Sequence, residues 1–397
     1  MGAWYSWRVL SDSSSKTSRN QSIDALRGAV MIIMALDHAR DFYADGFRIR
    51  PEDLSTTTPF LFFTRWITHF CAPVFVFLAG TAAFLSRQKR SGPELTRFLL
   101  TRGLWMIALE LSIVRIAWSP NPHYRFTLLQ ILWAIGWSMI ALAFLSRLPA
   151  WIVGAFGALM ILGHNALELV HPNDFGSMAW LWKVLHEQGW LSLSPNHHFY
   201  VAYPLIPWIG VMAVGYAFGA ISVKAQEIRR AITMKIGLVL SAAFVLLRAS
   251  NLYGDSLPWS PQHTFGFTLM SFLKCEKFPP SLCFLLMTLG PALCALSLLD
   301  RPHDNRGLSV LRVFGNVPLF YYIMHLVIMR FTALPIALYQ QGPLTFSPAP
   351  EGSYGMALLP LWAAYVGWIA VVALLYPMCT RFLELKRHHK EWYWSYL

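Results

Sequence analysis

Ionisable side chains crowd one long apolar segment near the start of the chain, at residues 22–42. This segment carries Asp37, His38 and Asp41 within five positions. An imidazole beside a carboxylate can take a proton from an acceptor hydroxyl or amine near neutral pH. Ionisable groups are costly inside a membrane and usually mark a functional site. We therefore predict that these three residues are catalytic, with His38 as the general base.

The opposite end of the same segment carries a cation. Arg27 precedes His38 by eleven residues, which is close to three helical turns, so the two side chains share one face of a helix. Their separation along the axis is about 16 Å. We predict that Arg27 helps to hold a phosphorylated donor substrate, because guanidinium groups bind phosphate well. Cations that follow later in the chain could assist it: Arg87, Lys89, Arg90, Arg97 and Arg102. The alternative for Arg87, Lys89 and Arg90 is that they only set the orientation of the chain in the membrane.

Other polar residues interrupt apolar segments at a membrane depth similar to that predicted for His38, or on the same side of the membrane. His69 is predicted to be a further catalytic residue, and Gln130 and Lys277 can polarise a carbonyl group. The remaining predicted substrate-binding residues are Tyr203, Trp208, Arg248, Ser281 and His325. For each histidine the alternative is a buried side chain that only ties helices together by hydrogen bonding.

The composition predicts the elements that must position these residues. The chain has 397 residues, of which 56% are hydrophobic and 13% charged, whereas soluble proteins carry about 25% charged residues. Segments long enough to cross a bilayer predict an all-α polytopic membrane protein of about ten transmembrane helices without β-strands. The predicted spans are 23–43, 64–86, 95–117, 127–146, 149–168, 200–222, 231–249, 279–299, 311–336 and 354–382. Residues 178–185 predict a short helix on the membrane surface.

The distribution of Lys and Arg among the loops predicts an orientation. Cations are enriched in alternate loops, which predicts that both termini are cytoplasmic in a multi-pass protein of the inner (plasma) membrane. Residues 1–21 are then an amino tail, 22–382 a single transmembrane domain and 383–397 a carboxyl tail. The net charge of +12 does not indicate a nucleic-acid partner, because the cations are scattered and form no basic groove.

Cysteine and histidine spacing does not indicate a metal site. The five cysteines form no C-x-x-C pair, and the sequence has no H-E-x-x-H motif. The adjacent pairs at 197–198 and 388–389 suit chelation poorly on one helix face. We therefore expect no metal.

Seven short motifs in the same order resemble the bacterial branch of the heparan-α-glucosaminide N-acetyltransferase catalytic-domain family, within the superfamily of multi-pass membrane acyltransferases. The motifs occupy residues 22–28, 36–42, 69–80, 129–132, 203–210, 277–282 and 318–325. The resemblance implies transfer of an acetyl or other acyl group from cytoplasmic acetyl-CoA or another acyl-CoA to a sugar or polysaccharide outside. Larger relatives are often dimers, so the resemblance also allows a homodimer.

The chain departs from the family pattern at the site itself. The lysosomal members carry a histidine in the loop between the first two helices, but residues 54–60 contain none. Those members have Asn at the position of His38 and Asp at that of His69. We therefore favour direct transfer with His38 as base over a covalent acetyl-histidine intermediate, and specificity for amino sugars does not carry over.

Two other classes of protein fit the polar residues of the predicted spans. A transporter or flippase-like carrier also places ionisable groups inside the membrane, and it would perform no acyl chemistry. A structural or assembly protein would use the same groups only to hold its helices together. Binding of CoA, and the directions in which His38, His69 and His325 point, distinguish these alternatives.

Overall fold

The computed structural model describes residues 21–44, 50–120, 125–194, 197–301, 306–346 and 355–389. Nearly all of the predicted amino tail, and residues 390–397 of the carboxyl tail, lie outside these ranges. The α-helices are α1 (Gln21–Tyr43), α2 (Pro59–Trp66), α3 (Cys71–Arg87), α4 (Gly92–Leu109), α5 (Arg115–Trp118), α6 (Ile131–Leu145), α7 (Ala150–Gly163), α8 (Ala179–Leu185), α9 (Leu205–Ser222), α10 (Gln226–Ser250), α11 (Phe265–Leu273), α12 (Leu282–Leu299), α13 (Arg306–Asn316), α14 (Pro318–Gln341) and α15 (Leu361–His388). The strands are β1 (Phe126–Leu129), β2 (Gly189–Ser194) and β3 (His197–Val201).

The helices confirm a polytopic membrane architecture. Helix occupies the larger part of each of the ten predicted spans. Within the described residues, seven helices are long and apolar enough to cross a membrane, so the count of ten stays a prediction. Residues 179–185 form the short helix α8, and its place on the membrane surface stays a prediction. Residues 383–388, assigned above to the carboxyl tail, are the last turns of α15.

Helix α1 contacts five other helices of the bundle. It packs against α3, α12, α13, α14 and α15. Its contact with α13 is the closest, because a Cβ atom on Gly28 would lie 1.8 Å from the carbonyl oxygen of Leu311, and one on Gly315 would lie 1.8 Å from that of Asp24. Residues without a side chain are therefore required at both points for the two backbones to touch.

Two irregular turns aim polar side chains into the protein. A 3₁₀ turn at Ile67–Phe70 separates α2 from α3, and Pro73 accounts for the break because it has no N–H to donate to the carbonyl of His69. A π-turn at Glu110–Val114 follows α4. It directs the buried Glu110 carboxylate at the start of α6, where it accepts backbone N–H groups of Leu132 (3.0 Å) and Trp133 (3.2 Å).

A small sheet contradicts the expectation that the chain has no strands. Its order is β1-β3-β2, with β1 parallel and β2 antiparallel to β3. The first three residues of the predicted span 127–146 therefore belong to β1, and the helix begins only at Ile131. The prediction was wrong because β1 has only four residues, and its apolar run continues directly into α6. Tyr200, on β3, and Gln130, which follows β1, reach the cavity described below.

Helices α3 and α9 approach closely at Gly80, and this contact gives a prediction for stability. A Cβ atom on Gly80 would lie 2.0 Å from the carbonyl oxygen of Met212, so Gly80→Ala must push the helices apart. We expect a loss of about 1–3 kcal/mol, measured as a lower melting temperature of the purified protein in detergent. Gly163→Ala is the matched control, because a Cβ atom at that position would have no neighbour within 4 Å. Equal melting temperatures for the two variants would contradict the close contact.

Candidate functional site

A polar cavity of about 700 Å³ lies at the carboxyl-terminal end of α1. We call it the polar cavity. Its described lining contains five carboxylates and five cations, so their formal charges cancel. These ionisable residues are Asp37, Asp41, Glu52, Asp53, Glu276, Arg40, Arg50, Arg65, Lys274 and Lys277. Amide and aromatic side chains complete the lining, among them Gln130, Gln188, Trp118, Tyr200 and Tyr203. Such a cavity offers many hydrogen-bonding groups to a polar ligand without a large net charge.

Asp37 is the centre of an ion-pair network at the floor of this cavity. One carboxylate oxygen accepts from Arg40, one turn further along α1, and the other accepts from Arg65 on α2. Arg65 also lies 3.5 Å from Glu52. Asp37 was predicted as a partner of His38 in catalysis, but its carboxylate is bound by two guanidinium groups instead. It thus fixes α1 against α2.

His38 pairs with a second histidine rather than with a carboxylate. Its Nδ1 atom lies 2.6 Å from Nε2 of His325, and the planes of the two rings are 10° apart. Nδ1 of His325 lies 3.0 Å from the carbonyl oxygen of Tyr321. Trp118 packs edge-on against His38, with ring centroids 5.3 Å apart. The structure therefore brings together His38 and His325, two of the three histidines that were predicted to share a site.

His69 is held by a residue of the loop before α2. Its Nε2 atom pairs with the Glu52 carboxylate, and its ring is buried and is not among the described residues that line the polar cavity. Burial tends to raise the pKa of Glu52, but the charges of His69 and Arg65 outweigh burial and hold that pKa well below its usual range. Glu52 therefore stays ionised and anchors the loop over the site.

Lys277 reaches the polar cavity from the loop between α11 and α12. The pKa of Lys277 is lowered to about 8, chiefly by burial and also by the positive charge of Arg65, while the negative charges of Asp37 and Glu52 oppose both effects. Its ammonium nitrogen lies 5.0 Å from the centroid of the Phe278 ring. A lysine in this state can change charge near neutral pH, which suits a group that contacts a reacting carbonyl.

A second cavity, of about 310 Å³, begins near the amino-terminal end of α1. We call it the apolar cavity, because its walls are mainly Met, Ala, Phe, Leu and Ile side chains of α1, α3, α4, α6 and α14. Cations among its lining residues are Arg27, Arg102 and Lys386. Arg27 donates to Asp24 (3.1 Å) and to the carbonyl of Gly315 (3.0 Å). The first turns of α1 and the last turns of α15 therefore lie at one cavity.

A thin layer of side chains separates the two cavities. Tyr322 lines the apolar cavity and His38 lines the polar one, yet their ring centroids are only 6.4 Å apart. Gln130 and its neighbour Ile131 likewise face the polar and the apolar cavity, respectively. Reactants that enter from opposite ends would meet at His38 and Tyr322.

Three predicted substrate-binding residues have structural roles outside the cavity lining. Arg248 is buried and donates to the carbonyls of Leu257 (2.7 Å) and Lys274 (2.6 Å), so it shapes the wall from behind. Ser281 donates to Asp255 (2.7 Å) and caps α12. Trp208 is fully buried and packs on Tyr203, with ring centroids 5.3 Å apart. Arg248 and Ser281 thus donate to backbone carbonyls or cap a helix, although in the sequence they look like residues that bind a ligand.

The sequence analysis gave no role to several residues that build the site. Glu52 and Arg65 supply the ion pairs around Asp37 and His69, while Trp118 and Tyr322 flank His38. Glu52 and Arg65 are ionisable groups at the edges of apolar segments, which is a usable signal. Trp118 and Tyr322 gave no such signal, because aromatic residues are common throughout this chain.

Comparison with known families supports the resemblance found in the sequence. The model of the family "Heparan-alpha-glucosaminide N-acetyltransferase, catalytic" matches residues 19–253. This range includes α1 to α10, and hence His38, the Asp37 network and His69. The curated proteins include no match to this chain.

The Glu52 pair gives a prediction for the pH dependence of stability. Because the folded-state pKa of Glu52 is lowered, its contribution is complete above its unfolded pKa of about 4.3 and is lost as the pH falls below that value. We expect Glu52→Gln to lower the melting temperature at pH 7 by about 2–4 °C. The difference from the unsubstituted protein should shrink between pH 5 and pH 4. Glu227→Gln, an exposed position on α10, is the control, and a pH-independent difference for Glu52→Gln would contradict the ion pair.

Proposed function

The chain belongs to the heparan-α-glucosaminide N-acetyltransferase catalytic family, and from that premise we propose that it transfers an acyl group from acyl-CoA across the membrane to a carbohydrate. The observation that supports this most strongly is the meeting of two chemically different cavities at His38. In this proposal the apolar cavity takes the donor and the polar cavity takes the acceptor. The protein acts in the inner (plasma) membrane with both termini in the cytoplasm.

The apolar cavity suits the donor because of where its cations and its apolar walls lie. Arg27, Arg102 and Lys386 contact the phosphates of CoA. The pantetheine arm then extends along α1 toward Tyr322, and the 16 Å or so between Arg27 and His38 brings the thioester to the layer between the cavities. Acetyl is the favoured acyl group, since a longer chain would have to pass His38 into the polar cavity.

The polar cavity suits a sugar acceptor. Sugars have hydroxyl groups that bond to carboxylates and amides, and apolar ring faces that pack on aromatic side chains. Asp41, Gln130 and Gln188 supply the first kind of contact, and Trp118 and Tyr203 supply the second. The balanced charges favour a neutral acceptor over a strongly charged one.

His38 is the general base in this mechanism, and His325 holds it. A neutral His325 that donates from Nδ1 to the Tyr321 carbonyl accepts at Nε2, so Nδ1 of His38 is the donor of the bond between them. Nε2 of His38 then carries the lone pair. It takes the proton of the acceptor hydroxyl or amine while that oxygen or nitrogen attacks the thioester carbonyl. The carbon–sulfur bond breaks, and the CoA thiolate leaves with a proton from His38. Lys277 stabilises charge on the carbonyl oxygen or on the acceptor.

Replacement of the base tests this mechanism directly. We expect His38→Ala to lower the rate of acyl transfer in membranes by about a hundredfold to ten-thousandfold, which is the usual contribution of a general base. Two measurements by mass spectrometry check this. One follows the acylation of envelope glycans, and the other follows the acylated sugar formed when purified protein is incubated with acetyl-CoA and candidate sugars. His171→Ala, at an exposed position, is the control for expression and insertion. Full activity of His38→Ala would exclude the assigned role.

The donor cavity can be tested separately by filling it. Ala82 lines the apolar cavity on α3, and we expect Ala82→Leu to raise the KM for acetyl-CoA about tenfold or more, because the new side chain occupies space assigned to the pantetheine arm. Ala231→Leu, exposed on α10, should leave KM unchanged. Thermal stabilisation by CoA should weaken in parallel. A protein that CoA does not stabilise at all would instead support the carrier alternative, which needs no CoA site.

A further inference from the structure

A third cavity, of about 740 Å³, has no part in the proposed reaction. We call it the arginine cavity. Four arginines from separate parts of the fold converge on it: Arg87 at the end of α3, Arg90 in the next turn, Arg97 on α4 and Arg147 between α6 and α7. None of the described residues that line it is acidic. Guanidinium groups bind phosphate in bidentate fashion, so this cluster has the chemistry of a phosphate site.

Helix α4 separates the arginine cavity from the apolar cavity. Phe98 and Arg102, one turn apart, line the apolar cavity, whereas Arg97 and Thr101 line the arginine cavity. The described linings of the two cavities have no residue in common. Because the apolar cavity has its own cations for the donor's phosphates, the four arginines serve a different anion. The sequence analysis had grouped five cations at the donor, namely Arg87, Lys89, Arg90, Arg97 and Arg102. In the structure Arg87, Arg90 and Arg97 line the arginine cavity, Arg102 lines the apolar cavity and Lys89 lines neither.

Apolar surface continues from the arginine cavity along the bundle. Leu104 stands seven residues after Arg97, on the same face of α4, and is 59% exposed. On the far side of the cavity, Phe144 is 55% exposed and lies under the Arg147 guanidinium, with 5.7 Å between that group and the ring centroid. Trp151, one turn further on, is 73% exposed. A free phosphate ion would leave these surfaces uncovered, while acyl chains would cover them.

From this arrangement we infer that the arginine cavity binds the headgroup of an acidic phospholipid, with its acyl chains along the exposed faces of α4 and α7. The lipid belongs to the leaflet at the amino-terminal end of α1. Basic cavities between transmembrane helices near a membrane surface recognise lipid headgroups in this way.

The cavity is also placed to transmit the effect of lipid to the fold. Arg87 donates to the hydroxyl of Tyr216 (3.0 Å), a fully buried residue of α9. That hydroxyl lies 3.4 Å from the carbonyl oxygen of Ser146, in the turn between α6 and α7. A headgroup on Arg87 and Arg147 therefore joins the ends of α3, α6 and α9. A ligand that binds only the folded state raises its stability.

The test is thermal unfolding of the full-length protein in detergent with added phosphatidylglycerol or phosphatidylcholine. We expect phosphatidylglycerol to raise the melting temperature by about 3 °C or more and phosphatidylcholine to have less than half that effect. The double variant Arg97→Gln/Arg147→Gln should lose the selective shift. Lys224→Gln/Arg387→Gln removes the same charge at exposed positions outside the cavity lining and should keep it.

Each other outcome overturns the inference. An unchanged shift in Arg97→Gln/Arg147→Gln means that the lipid binds elsewhere. An equal shift from inorganic phosphate or glycerol 3-phosphate means that the site takes a free anion, and loss of CoA stabilisation in the same variant assigns the arginines to the donor. Native mass spectrometry of the unsubstituted protein tests lipid selectivity without any variant. We expect the protein to retain phosphatidylglycerol in preference to phosphatidylcholine. Equal retention of both lipids would contradict the proposal.

Discussion

The pairing of Asp37 with two arginines is the constraint on which the arrangement of the site depends. A carboxylate near the end of an apolar helix is costly unless opposite charge and hydrogen bonds compensate it. Arg40 supplies one partner from α1 itself, but Arg65 belongs to α2. Satisfying Asp37 therefore fixes the angle and depth at which α2 and the 3₁₀ turn after it meet α1. His69 and its partner Glu52 take their positions from that junction.

While Asp37 is bound by its two arginines, His38 pairs with His325. A carboxylate partner would favour the charged imidazolium, whereas a second imidazole that is anchored on a carbonyl selects a tautomer without adding charge. This distinction matters for the proposed chemistry, because a base must be neutral before it can take a proton. Asp37 therefore fixes the helices through its ion pairs, while its neighbour His38 stays outside that ionic network and can remain neutral.

The sequence predicted more of the fold than of the site. Apolar segments located each main helix, because helix length in a bilayer follows from local composition alone. The polar face of α1 followed from the spacing of Arg27 and His38, and the two residues line different cavities. Contacts between distant segments were beyond such reasoning. His38 and His325 are 287 residues apart, and only the packing of α1 against α14 decides that they touch. Arg248 was predicted to bind substrate, but it donates to backbone carbonyls. An isolated cation looks the same in the sequence in both cases.

The thin layer between the cavities reconciles two demands on the proposed reaction. A membrane must not contain an open polar channel, because water and ions would leak through it and would expose the thioester to hydrolysis. Transfer nevertheless requires the donor carbonyl and the acceptor atom to come into contact. A layer made of two adjoining side chains meets both demands, because only the reacting atoms need to cross it. His38 and Tyr322 lie at that point, 6.4 Å apart between ring centroids. In the proposed mechanism the group that closes the membrane is therefore also the group that removes the proton.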